Sequence, residues 1–290
     1  MYWKIPSNET LKRVGGLVAL LIFGALVYFG FRDIDRIKEL FLAVRWHYLL
    51  SASLVYAVGL ILSVVVLHRL YLQFDVNVPF WRTFYIAFLS LLGRYIPGKL
   101  WIIGFASYIS RSIGRDPVRV FWASIVNQAI SIISIIPFAF FLYWRTRNPY
   151  ILMGGILLSA ASIGGSWWIF RRNKIAFGGF KFLLLSGVYF ASWLLTGVAF
   201  LLFYRGMGLS GDPGVLVSVF PVSYLIGLLS FFAPGGLGIR ELSLSYFLSA
   251  YLEPSSAAAV GVMFRLLTTL VEFLLSAVAY LMYMADRPED

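Results

Sequence analysis

The chain has 290 residues, of which 60% are hydrophobic and 13% charged, and its mean hydropathy is +0.85. A soluble domain carries roughly 25% charged residues, so this composition excludes a soluble globular protein and indicates a polytopic membrane protein. The formal net charge is +11. Most Lys and Arg residues lie in short loops, where they set orientation and contact anionic lipid, so we expect no nucleic-acid partner. With no cysteine and only His47 and His68, we also expect no metal site and no cofactor.

The first apolar run covers residues 14–31 and follows three basic residues, as in a signal peptide. No small-residue cleavage site follows it, so we predict a retained first span. The next segment, RDIDRIKELFLAVRWHY at 32–48, repeats apolar residues at helical spacing with mixed charges opposite them. This pattern predicts a helix that lies flat in the membrane interface.

Six runs are long enough to cross a bilayer, which takes about 20 residues. Five of them are uncharged, and the sixth contains Arg265 and Glu272; the runs are 14–31, 48–67, 120–144, 148–170, 182–204 and 256–285. We therefore predict an all-α polytopic membrane protein with about six full transmembrane helices, and a single integral membrane domain over residues 1–290.

Two further apolar stretches, 83–110 and 213–250, each contain Pro-Gly near the middle with charged residues close by. At an offset of 137 residues they align without a gap, and Pro97-Gly98 falls on Pro234-Gly235. Leu91, Leu92, Leu100 and Ile102 are also identical to their counterparts Leu228, Leu229, Leu237 and Ile239. The alignment predicts an internal repeat.

Loop charge indicates how these two stretches meet the membrane. If both are re-entrant hairpins and the N-terminus is cytoplasmic, the inside segments hold 13 Lys and Arg residues and the outside segments hold 7. If both cross, the counts become 9 inside and 11 outside. Cytoplasmic loops are enriched in Lys and Arg. We therefore predict two oppositely oriented re-entrant helical hairpins that form an inverted repeat, with both termini cytoplasmic.

Ionisable residues within the apolar stretches cluster at the hairpin tips and in the last span: Arg94, Lys99, Arg240, Glu241, Arg265 and Glu272. Such residues are costly in a bilayer and often mark substrate pathways. The tip backbone contains helix-breaking residues that allow close approach of a ligand: Pro97, Gly98, Pro234, Gly235, Gly236 and Gly238. Four cations against two carboxylates predict an anion site, with Arg suited to bidentate phosphate binding.

A structural alternative is that these charges pair with one another. Glu241 would hold Arg265 or Arg94, and Glu272 lies seven residues from Arg265, two turns along one helix face. Asn127 and Gln128 form a polar spot in another span, where such residues usually form hydrogen bonds between helices.

The sequence contains no nucleophile–base pair and no nucleotide-binding motif, and both carboxylates lie near Arg, which weakens them as acids or bases. We therefore expect no catalytic site.

GRYIPGKLW at 93–101, followed by APGGLGIRE at 233–241, resembles the flippase-like transmembrane family of the lysylphosphatidylglycerol synthase membrane domain. In bifunctional members a soluble aminoacyl transferase domain follows, and these 290 residues contain none, so we do not carry that activity over. The resemblance implies a flippase or scramblase that moves a lipid with an anionic, phosphate-bearing headgroup between leaflets, either a phospholipid or a polyprenyl-phosphate-linked sugar. It implies the cytoplasmic membrane of a prokaryote. The alternative is a membrane-embedded enzyme, or a partner of a glycosyltransferase, in glycan or cell-envelope assembly.

Overall fold

The computed structural model describes residues 38, 44–91, 93, 101–175, 178–229 and 238–286, and these residues form helices and short connections without a strand. We number the helices in this part of the chain from α1 to α10. They are α1 (Trp46–Gln73), α2 (Phe80–Leu91), α3 (Trp101–Ser112), α4 (Pro117–Ile133), α5 (Ile136–Thr146), α6 (Pro149–Arg172), α7 (Gly179–Gly206), α8 (Pro213–Leu229), α9 (Ile239–Leu248) and α10 (Pro254–Asp286).

Five helical stretches in the described residues are long and apolar enough to cross a membrane: α1, α4 with α5, α6, α7 and α10. They confirm five of the six predicted spans. The predicted first span at 14–31 lies outside the described residues, as does most of the interfacial segment at 32–48.

The span at 120–144, predicted as one continuous helix, is interrupted. Helix α4 ends at Ile133 and α5 begins at Ile136. Pro137 lacks a backbone N–H, so the regular helical hydrogen-bond ladder is broken there. The hydroxyl of Ser134 lies 2.8 Å from the carbonyl oxygen of Ile130 and 2.9 Å from that of Ser186 on α7, so it bridges the break to a neighbouring helix.

Two pairs of shorter helices flank the predicted hairpin tips. Helices α2 and α3 have 12 residues each, about 18 Å of helix, which is too short for a hydrocarbon core of about 30 Å. Helices α8 and α9 have 17 and 10 residues. Within each pair the two helices pack against each other. The tips lie outside the described residues, and with them Arg94, Pro97, Gly98, Lys99, Pro234, Gly235 and Gly236.

In each pair, the segment before the first helix lies beside the segment after the second. Arg119, at the start of α4, forms an ion pair with Asp75, which precedes α2, at 3.0 Å between Nη1 and Oδ2. Gly211, which precedes α8, lies against the ring of Tyr251, which follows α9; a Cβ on this glycine would be 3.6 Å from the Tyr251 Cδ1 atom.

Helices α1 and α7, which we call the central helices, pack extensively against each other. They run antiparallel, since the N–H of Arg45 beside the start of α1 donates to the carbonyl of Gly206 at the end of α7 (3.0 Å). The Ser192 hydroxyl donates to the Gly59 carbonyl at 2.7 Å. On α7, a Cβ at Gly197 would overlap the Val217 carbonyl of α8, so the glycine allows these helices to approach closely.

The two halves of the chain also exchange contacts. The first short pair packs on the last span, because α2 contacts α10 and Arg82 pairs with Asp286 (Nε–Oδ2, 2.9 Å). The second short pair packs on the interrupted span, because α8 contacts α5 and Arg145 pairs with Asp212 (2.7 Å). Helices α4 and α10 begin at Pro117 and Pro254, and these positions are separated by the same offset of 137 that aligns the tips.

Candidate functional site

A cavity of about 320 Å³ lies between the two short helix pairs and the central helices. The first pair contributes apolar residues from α2 and α3, among them Phe88, Leu91 and Ile103. The second pair contributes Phe220, Tyr224 and Gly227 from α8 and Arg240 from α9. The remaining lining comes from α1, α4 and α7, and it is rich in hydroxyl and amide groups: Tyr56, Ser63, Ser124, Asn127, Gln128, Ser131, Tyr189, Ser192 and Thr196.

Arg240 is the charged residue among the described residues that line this cavity, and only 5% of its surface is exposed. Its guanidinium carbon lies 4.3 Å from the ring centroid of Phe220 and 5.4 Å from that of Tyr224. These two rings are four residues apart on α8 and so share one face of that helix. Contact with aromatic faces favours a cation and fixes the orientation of the guanidinium group.

Gly238 and Glu241 form the start of α9, directly beside Arg240. Gly238 has φ of +86°, a conformation that a residue with a Cβ rarely adopts. Its N–H donates to the Glu241 Oε2 atom at 2.7 Å, so this carboxylate caps the helix that carries Arg240. The backbone conformation therefore explains why a glycine starts α9, and the predicted role of Gly238 in ligand approach stays a prediction.

Glu241 also approaches Arg265 on α10, with 3.9 Å between its Oε1 atom and the Arg265 Nε atom. Both side chains are largely buried, and Glu241 Oε1 and Arg265 Nη2 have no hydrogen-bond partner among the described residues. The pair borders a small space of about 10 Å³ that Arg240 also lines. This is one of the internal pairings considered from the sequence; the other, between Glu241 and Arg94, lies outside the described residues.

Glu272 accepts a hydrogen bond from the hydroxyl of Tyr56 on α1 at 2.8 Å, and the carboxylate is 5% exposed. Tyr56 lines the large cavity, so Glu272 is connected to that cavity through this hydroxyl. The structure thus brings Arg240, Glu241 and Arg265 together at one place and joins Glu272 to Tyr56. Their assignment to substrate binding stays a prediction.

The described part of this site contains two cations, Arg240 and Arg265, and two carboxylates, Glu241 and Glu272. The surplus positive charge expected from the sequence depends on Arg94 and Lys99, which lie outside the described residues. Arg240 nonetheless has a distinct setting, because it lines the large cavity while the Glu241–Arg265 pair borders the smaller space.

Sequence reasoning did not identify Tyr56 or the aromatic support of Arg240. Tyr56 is 216 positions from Glu272, and only tertiary packing brings the two together. Phe220 and Tyr224 are ordinary residues in an apolar run. Their spacing of four residues, which puts both rings on one helix face, was the available sequence signal for a contact with Arg240. Asn127 and Gln128 were noticed as a polar spot, and the structure places both on the cavity wall.

The described residues form helices joined by short connections, and five helical stretches are apolar enough to cross a membrane, so the chain is a multi-pass membrane protein. Its residues 14–276 match the family described as the lysylphosphatidylglycerol synthase TM region, and the chain belongs to that family. No curated protein and no solved structure gave a significant match.

Proposed function

We propose that this protein is a flippase or scramblase that moves lipids with anionic, phosphate-bearing headgroups between leaflets. The observation that carries the proposal is Arg240, a buried cation on the wall of a cavity between two short helix pairs. The family to which the chain belongs supports a lipid-related role. We further propose that it acts in the cytoplasmic membrane of a prokaryote, beside enzymes of envelope or glycan assembly such as a glycosyltransferase.

Arg240 suits an anionic headgroup for two reasons. A cation buried within a membrane protein costs roughly 2.5–3.5 kcal/mol on insertion, and an anionic headgroup in the cavity that Arg240 lines would offset part of that cost. Arginine also presents a planar set of donors that matches phosphate in a bidentate way. The faces of Phe220 and Tyr224 hold the guanidinium group, which lowers the entropy lost when a headgroup binds.

The helix contacts support the proposed re-entrant hairpins. The Asp75–Arg119 ion pair joins the segments before α2 and after α3, as expected if that stretch enters and leaves on one face. The approach of Gly211 to Tyr251 gives the same relation for α8 and α9. With α1 and α7 antiparallel, the two pairs would enter from opposite faces, which is the arrangement of an inverted repeat.

A carrier built this way reaches its substrate from both sides of the membrane. The contact of α2 with α10 and that of α8 with α5 are equivalent under the 137-residue offset. In inverted-repeat transporters, the two halves exchange conformations around a site near the membrane midplane. We propose that the cavity beside Arg240 is that site, and that the lipid tails stay in the bilayer.

The contacts of Glu241 favour transport over the alternative of a membrane-embedded enzyme. One carboxylate oxygen accepts the Gly238 N–H and the other faces Arg265. These contacts place the carboxylate between the start of α9 and Arg265 on α10, where it supports α9. A general acid or base needs instead a free oxygen within reach of the substrate.

The test is translocation of tail-labelled fluorescent phosphatidylglycerol in proteoliposomes, followed by quenching of the outer leaflet with an impermeant reductant. Arg240→Gln keeps hydrogen-bonding capacity and removes the charge. Hydrogen bonds to charged groups contribute about 1.5–3 kcal/mol, so we expect translocation to slow by about 10- to 100-fold. Arg111→Gln, at an exposed position at the end of α3, is the matched control and should leave the rate unchanged. An unaltered rate in Arg240→Gln would contradict the proposed site.

A further inference from the structure

Two arginines at the end of α6 fold back over tryptophan rings of the same helix. The guanidinium carbon of Arg171 lies 4.4 Å from the ring centroid of Trp167, and that of Arg172 lies 5.1 Å from that of Trp168. Each ring is four residues earlier on α6, about 6 Å nearer the middle of the span. Arginine at the end of a span usually extends away from the hydrocarbon toward water. These two instead hold their charge at the level of the tryptophan rings, where lipid headgroups lie.

The start of α4 completes this arrangement. The Arg172 guanidinium carbon also lies 5.6 Å from the ring centroid of Trp122 on α4. The Trp122 and Trp168 centroids are 6.0 Å apart and the ring planes are inclined at 69°, so the two rings form a corner that holds Arg172. Trp122 is partly buried against the core, whereas Trp168 is 49% exposed. The guanidinium group is thus held by ring contacts on a surface that a lipid can reach.

The charge of the two arginines has no counter-ion among the described residues, since neither side chain forms an ion pair there. The adjoining ends of α1 and α4 do not supply a free carboxylate, because Asp75 and Asp116 both pair with Arg119, at 3.0 and 3.4 Å. Residues 173–181 contain two lysines and no acidic residue. A guanidinium group that contacts a ring face still presents the N–H groups of its edge, which match phosphate oxygens in a bidentate way.

We infer that the end of α6 and the start of α4 form a binding site for an anionic phospholipid, separate from the cavity beside Arg240. Arg172, in the corner between two rings, binds the phosphate, and Arg171 adds a second positive charge beside it. None of the three tryptophans and two arginines of this site lines the cavity.

The position of the site identifies the ligand as a lipid of the surrounding bilayer. Trp167 and Trp168 are largely exposed near the end of a span, where tryptophan rings lie at headgroup level and contact the glycerol backbone and the upper acyl chains. The predicted topology puts this end of α6 at the cytoplasmic face, where anionic lipids are concentrated. The site therefore binds a lipid that stays in one leaflet, whichever lipid the cavity accepts.

Native mass spectrometry tests the site by counting the lipids bound to protein in a nonionic detergent during a titration with phosphatidylglycerol. Phosphatidylcholine with the same acyl chains is the comparison without net charge, and the wild type should bind it more weakly. Arg172→Gln should weaken phosphatidylglycerol binding by about 10-fold, the range of one hydrogen bond to a charged group. Arg111→Gln is the matched control, because Arg111 is exposed at the end of α3 and does not contact these rings. It should leave the affinity unchanged.

Trp168→Leu distinguishes a defined site from general attraction between positive charge and anionic lipid. It keeps both arginines and removes one of the two rings that hold Arg172. Phosphatidylglycerol binding should weaken by about 3-fold, the range of one exposed cation–π contact. Glycerol 3-phosphate, which has the phosphate without acyl chains, should not displace the lipid.

The effect of Arg172→Gln should be the same in the wild type and in Arg240→Gln protein, because the two sites are separate. Disappearance of the effect in the Arg240→Gln protein would show a single lipid site and overturn the inference. Wild-type affinity in either Arg172→Gln or Trp168→Leu, or displacement of the lipid by glycerol 3-phosphate, would also overturn it. The measurement is of binding alone, so its outcome is independent of the proposed translocation.

Discussion

Arg240 and Glu241 are adjacent in sequence and serve different purposes. The Arg240 side chain contacts the rings of Phe220 and Tyr224 and lines the large cavity. Glu241 holds the start of α9 through the Gly238 N–H and faces Arg265 on α10. The carboxylate thus fixes the helix that presents the arginine. This division of roles leads to a stability prediction for Glu241 that is independent of lipid transport.

Glu241→Gln should lower the thermal stability of the purified protein in detergent. Removing one partner of a buried ion pair costs about 3–5 kcal/mol, because Arg265 is left buried without its counter-charge. A double-mutant cycle with Arg265→Gln checks the cause. The double variant should be less destabilised than the sum of the two single variants. Strict additivity of the two losses would show that the side chains do not interact.

Residue chemistry shows which parts of this site a sequence reveals. A buried arginine in an apolar run is conspicuous because it is costly, so Arg240, Arg265 and Glu272 were predictable candidates. The hydroxyl of Tyr56 and the other hydroxyl groups that α1, α4 and α7 contribute to the cavity wall were not, because Ser, Thr and Tyr occur in many spans for packing reasons. Only tertiary contacts separate cavity-lining hydroxyls from packing ones.

At the scale of helices, length and hydropathy predicted five spans that the structure confirms. The interruption between Ile133 and Ile136 was missed, although Pro137 was visible in the run, because a proline alone does not tell a kink from a break. The offset of 137 residues was found by aligning the sequences of the two tips. Helices α4 and α10 begin at Pro117 and Pro254, which are separated by the same offset. The hairpins themselves stay a prediction with a direct test.

The absence of native cysteine makes single-cysteine labelling with a membrane-impermeant maleimide free of background. Asn77→Cys and Val118→Cys occupy exposed positions before α2 and at the start of α4. Both should label from the cytoplasmic face, because the Asp75–Arg119 ion pair holds these segments together. Ser210→Cys and Glu253→Cys, exposed on either side of the second pair, should both label from the opposite face. Labelling of residues 77 and 118 from opposite faces would contradict the hairpin.

For the whole molecule, the central claim is that lipid headgroups pass through the cavity beside Arg240. The interlocking of the two halves, through α2 with α10 and α8 with α5, leaves this cavity between the short helix pairs and the central helices. Loss of activity in a variant shows that a residue matters without showing where the lipid passes. A reversible block inside the cavity gives that information.

Ser63→Cys places a thiol on the cavity wall through a nearly isosteric change, and a bulky methanethiosulfonate reagent then fills the space. Ser51→Cys, exposed on the same helix, is the control. We predict that vesicles with labelled Ser63→Cys protein translocate fluorescent phosphatidylglycerol no faster than protein-free vesicles. Reduction of the mixed disulfide should restore the translocation rate, and labelling of Ser51→Cys should leave that rate unchanged. Stoichiometric labelling at residue 63 with undiminished translocation would contradict passage through this cavity.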